Sequence, residues 1–142
     1  MLRSLSVCMG DMIVTQLTRY RIIAIIAIAP GLLSIKEGGS VMLGISTPAY
    51  HVIRWLVMYN VVMGLVSLIA GTGIWIGRTW GSVLTALILM SHGLVFLAVF
   101  FLFIFREPVA PVSVVAMLLR TAIWLIIYWL LRWVANVETH DA

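Results

Sequence analysis

Long apolar runs, each closed by a short polar cluster, set the pattern of this chain. Residues 55–76 carry no charge, and in residues 80–105 His92 is the only titratable group. Residues 112–134 form a further run, with Arg120 standing inside it. A helix crossing the hydrocarbon core needs about 20 apolar residues, so each of these runs predicts a membrane span. A first span is expected at residues 17–35, where Arg19 and Arg21 can extend their charged ends to the headgroups while their stems stay in apolar surroundings. Pro30-Gly31 interrupts that run, and Lys36-Glu37-Gly38-Gly39-Ser40 is expected to stop it. A re-entrant segment is the alternative there, and it would leave three spans.

Between the runs, Gly77-Arg78-Thr79 reads as a tight turn. Pro108 and Pro111 keep the last connection from continuing as helix, because proline lacks the donor a helix interior needs. Residues 41–54, with Pro48, Tyr50, His51 and Arg54, read as an interfacial stretch leading into the second span. Residues 1–18 mix Arg3 and Asp11 with short apolar pieces and have no sustained period, so they are expected at the membrane surface or against a partner. Residues 136–142 form a polar tail. The expected architecture is all-α: a polytopic four-helix transmembrane bundle over residues 19–135.

Composition strengthens this picture. Of the 142 residues, 63% are hydrophobic and 10% charged, against roughly a quarter charged in soluble domains, and the mean hydropathy is +1.17. A soluble fold could not cover that much apolar surface. The net charge of +4 is scattered singly at span ends and makes no patch for nucleic acid. With four spans, Arg3, Arg19, Arg21, Arg78 and Arg132 fall on one side, and Lys36, Arg54 and Arg106 on the other. That bias places both termini in the cytoplasm, with the bacterial inner membrane as the expected location. Trp75, Trp80 and Trp133 would mark one interface, and Tyr50 and Trp55 the other. A lone Cys8 excludes an intrachain disulfide. It follows Leu5-Ser6-Val7, but Val7 is too large for a lipoprotein cleavage box and no apolar region precedes it.

Polar groups inside the spans are the candidates for function. Arg120 would cost several kcal/mol facing lipid, so it should turn inward and meet a partner. Glu107 is the nearest acid in depth, with Arg120 roughly 12 Å below the start of its span at 1.5 Å per residue. Trp124, one turn on, is available for a cation–π contact. The alternative is an anionic ligand, or an acid of another subunit. His92 is expected to bond across helices to Ser67, at similar depth, with a quinone contact, proton relay or haem ligation as alternatives. A haem clamped by two histidines of one chain is excluded, because helical rise separates His51 and His92 by more than about 20 Å in depth. Asn60, Gly64, Ser67 and Gly71 recur at helical spacing and form a small, polar stripe suited to close packing of helices. A ligand groove with Asn60 at its mouth is the other reading. The histidines and Cys8 lack metal-site spacing, and no GxSxG elbow, P-loop, HExxH or paired intramembrane carboxylate occurs.

The run Asn60 to Gly81, with Gly64, Gly71, Gly73, Arg78 and Trp80-Gly81, resembles the second span and following turn of DoxX-like small membrane proteins. That resemblance implies a four-helix bundle, in some members associated with quinol oxidases, and no functional residue is carried over from it. The functional expectation is a noncatalytic accessory subunit of a larger, energy-transducing membrane complex, whose partners are lipids and other membrane subunits, with Arg120 and Trp124 among its contact residues. No cofactor is expected, although His92 and Arg120 are the candidates should quinone or haem bind. A small oligomeric transporter or channel and a quinone- or haem-associated redox protein are the alternatives.

Overall fold

The computed structural model describes the backbone of residues 2–47, 53–105 and 109–140, and side chains at residue 14 and over 16–47, 53–105 and 109–137. It is an all-α four-helix bundle: α1 (Leu2–Met42), α2 (Arg54–Trp75), α3 (Thr79–Phe105) and α4 (Pro111–His140), with no strand among the described residues. Each helix holds a stretch long and apolar enough to cross a membrane, namely Gln16–Met42, Arg54–Trp75, Thr79–Phe105 and Pro111–Val137. The chain is an integral membrane protein with four membrane-spanning helices. Each helix packs against its neighbours in chain order, and α1 also meets α4, so the bundle closes as a ring.

The first helix departs most from the sequence reading. Residues 2–18 continue α1 as one helix instead of forming a separate segment, and Lys36-Glu37-Gly38-Gly39-Ser40 does not stop it. The stop is Gly44, which has φ +71°. Its N–H donates to Val41 O at 3.2 Å and the Ile45 N–H donates to Ser40 O at 2.9 Å. This pair of bonds closes a helix through one left-handed residue, a position glycine takes without steric cost. Gly38 and Gly39 lie inside the helix instead, as glycines commonly do in membrane spans. Pro30 is also internal, and α1 runs through it.

The turn from α2 to α3 ends in the same way. Gly77 has φ +65°, its N–H donates to Ile74 O at 3.0 Å, and the Arg78 N–H donates to Gly73 O at 2.9 Å. Pro111 opens α4 at its first position, where its missing donor is not needed.

The two halves of the bundle pack differently. Toward the chain termini, α1 and α4 close on one another through Ile23, Ala24, Ala27, Ile127, Leu131 and Val134, with Ala70, Ile74, Ile88 and Trp124 completing one buried cluster. Arg19 stands over the Trp133 ring at 5.6 Å and Arg21 over Trp75 at 5.4 Å, within cation–π range. At the opposite end, where α1 joins α2 and α3 joins α4, the buried cluster is smaller and takes Leu56, Val99 and Met117 from α2, α3 and α4. There α1 and α4 are parted by a cavity.

Candidate functional site

The cavity has a volume of about 190 Å³ and lies among α1, α2 and α4. Its polar lining is Ser34 and Glu37 from α1, Asn60 from α2, and Ser113 and Arg120 from α4, set among apolar side chains such as Ile53 and Met117. At 1.5 Å per residue, Glu37 lies about 8 Å from the end of α1, Asn60 about 9 Å from the start of α2, and Arg120 about 13 Å from the start of α4. A polar wall thus descends from an acid near the mouth to a cation at the floor.

Arg120 is half-buried and turns into the bundle, and Glu37 and Tyr59 act on it electrostatically. Among the described residues no ion pair within 4.0 Å closes between Glu37 and Arg120. Asn60 Oδ1 is buried and has no hydrogen-bond partner among the described residues, an unusual condition for a buried acceptor. Ser34 is committed locally, donating to Pro30 O at 2.8 Å. The cavity therefore brings together a cation and an anion, with an orphan acceptor buried beside it.

His92 is not part of this lining. It is 3% exposed, and its Nδ1 lies 2.8 Å from the Tyr59 hydroxyl, which is also 3.0 Å from Ser91 Oγ. Its ring packs beside Trp124, centroids 6.5 Å apart. The expected bond from His92 to Ser67 is not made: Ser67 Oγ donates to Met63 O of its own helix at 2.6 Å. The reason is lateral. Ser67 faces α1, where a Cβ on Gly31 would lie 2.9 Å from the Ser67 Cβ, whereas Tyr59, two turns earlier on α2, faces α3.

Trp124, anticipated as a cation–π partner for Arg120, pairs its ring with His92; the cation–π contacts of the described residues fall on Arg19, Arg21 and Arg132. Glu107, considered as the acid for Arg120, lies outside the described residues, as do His51 and the side chains of Cys8 and His140.

Gly64 and Gly71 both lie against α1. A Cβ on Gly64 would come 2.8 Å from Gly31 O, and one on Gly71 would collide with Ile28. Asn60 heads the same stripe but faces the cavity.

Glu37 and Tyr59 are the residues that sequence reasoning missed. Glu37 falls in the cluster expected to stop the first span, although Glu37, Gly38 and Val41 stand three, four and seven residues after Ser34, a single helical face. Tyr59 gave no signal beyond a polar hydroxyl in an uncharged run. Among the described residues no group of three or more His, Cys, Asp or Glu side chains could hold a metal ion. No family model matches the chain, and no curated protein or solved structure matches it either.

Proposed function

We propose that this protein is a noncatalytic subunit of a membrane complex and that its working part is the Glu37–Asn60–Arg120 cavity, completed by a polar group from outside the chain. The observation that carries the reading is that Glu37 and Arg120 line one cavity without closing an ion pair and that, among the described residues, the buried Asn60 Oδ1 beside it has no hydrogen-bond partner. A half-buried cation and a buried orphan acceptor are costly unless paired, so they are tolerated when something else pairs them. The turn between α2 and α3 is short, Ile76 to Arg78 being the whole of it, which leaves the lipid-facing and cavity-facing surfaces there to make contacts.

In this reading the complex is respiratory or otherwise energy-transducing and lies in a bacterial inner membrane. Both termini are cytoplasmic, and the cavity opens toward the other side. The resemblance of residues 60–81 to DoxX-like proteins, some of which accompany quinol oxidases, points the same way.

Mild-detergent extraction, native-gel separation and mass spectrometry of the band test this directly. Stoichiometric partner chains are expected with the natural sequence, and Arg120→Ala is expected to lose them. Normal assembly of that variant, or a band of this chain alone, overturns the reading. A second reading, a small oligomeric transporter, is favoured by the polar wall that reaches Arg120 from one end of the bundle. It calls for solute movement by the purified chain in vesicles.

A further inference from the structure

The character of the cavity wall specifies what can fill it. The guanidinium at the floor offers only donors and a positive charge, so it takes an oxyanion, best a planar or tetrahedral one that it can grip with two bonds. Glu37, further from the floor, offers only acceptors and a negative charge. It calls for a group with several N–H donors and a positive charge. A primary ammonium meets that description, and a quaternary ammonium, which has no N–H, does not.

Size and depth agree. A cavity of about 190 Å³ is somewhat larger than the roughly 150 Å³ that holds a benzene-sized molecule, enough for a short zwitterion and too small for a quinone ring with its chain. The 27-residue apolar stretch of α4 spans about 40 Å, and the hydrocarbon core occupies the central 30 Å or so. Arg120 therefore starts about 8 Å inside the hydrocarbon boundary, and its side chain can rise toward that boundary. The cavity is lined by α1, α2 and α4 without α3, so it lies against α1, between the two helices that flank it in the ring. By the same reckoning Glu37 lies about 3 Å inside the boundary, so an aminophospholipid with its phosphate on Arg120 and its ammonium on Glu37 has the right order of groups and must draw its headgroup inward to reach them.

We propose that the cavity binds a zwitterion that joins a primary ammonium to an oxyanion, the ammonium on Glu37 and the oxyanion on Arg120. The proposal rests on the cavity reading above but does not require a partner chain. An aminophospholipid headgroup and a free zwitterion from the aqueous side share this chemistry.

The test uses the full chain, purified and delipidated in a nonionic detergent, with short-chain phosphatidylethanolamine, phosphatidylglycerol and phosphatidylcholine titrated in turn and binding read by native mass spectrometry. Phosphatidylethanolamine is expected to bind about tenfold more tightly than the other two, a factor worth about 1.4 kcal/mol. Glu37→Gln, at an exposed position where folding is least at risk, is expected to erase that preference, and Arg120→Gln to weaken all three lipids. Equal binding of the three lipids, or an unchanged preference in Glu37→Gln, overturns the proposal. Millimolar O-phosphoethanolamine or alanine distinguishes the sources: displacement of the lipid identifies a soluble zwitterion, and retention identifies the headgroup. Headgroup preference without partner chains on the native gel would sink the subunit reading and keep this one; partner chains without headgroup preference would do the reverse.

Discussion

The half of the bundle near the chain termini and the half near the α1–α2 and α3–α4 connections are built from the same helices under opposite rules. In the first, alanines at positions 24, 27 and 70 let backbones approach, and Trp124, Ile88 and Ile127 fill the remaining space. In the second, the half-buried Arg120 and Asn60 occupy positions where apolar side chains would otherwise interdigitate, with the exposed Glu37 beside them, and a cavity takes the place of a core. Tyr59, His92 and Trp124 link them, Tyr59 packing with the smaller cluster and bonding across to His92 on α3, whose ring lies beside the indole of the larger cluster. Stability is concentrated in one half and unmatched polarity in the other, as expected where a rigid scaffold holds an incompletely satisfied site.

Removing the large side chain at the boundary tests that division hardest. Trp124→Ala is expected to cost about 3 kcal/mol or more, the range for deleting a buried aromatic, as a lowered midpoint in detergent unfolding. A loss below 1 kcal/mol would mean that the packed half is looser than its buried cluster implies. Gly64→Leu comes next. A Cβ there already meets Gly31 O at 2.8 Å and an Ile35 carbon at 2.8 Å, so α1 and α2 must separate, at about 1–3 kcal/mol. Chemical cross-linking between α1 and α2 should fall with it. Tyr59→Phe deletes the bonds to His92 and Ser91 and is expected to cost about 0.6 kcal/mol, the average for polar contacts between membrane helices. Arg120→Leu should cost least or stabilise, because replacing an incompletely paired buried charge by an apolar side chain removes a desolvation penalty. If it destabilised as much as Trp124→Ala, the two halves would not differ in the way described.

The architecture was legible because its cause is one-dimensional: uninterrupted apolar length specifies a membrane helix wherever it occurs, and residues 55–76, 80–105 and 112–134 fell close to α2, α3 and the apolar part of α4. The end of α1 was not, because Gly38-Gly39 looks like punctuation in a soluble chain, whereas in a bilayer the backbone has no water to satisfy it and the helix persists. That single misplacement hid Glu37 from the cavity. The partners of Arg120 and His92 depend on which faces of different helices meet, and depth alone, which rise per residue supplies, does not determine rotation. Ser67 and Tyr59 illustrate this: Ser67 had the better depth match to His92, and Tyr59 had the right azimuth.

At Gly31 and Gly64 the two helices approach so closely that a Cβ on either would lie within 3 Å of the other's carbonyl oxygen. Any side chain at either position must push the axes of α1 and α2 apart, and both helices line the cavity. The width of that wall is therefore set by missing atoms at two positions some two helical turns away from Glu37, as a keyway is set by what has been cut from the metal.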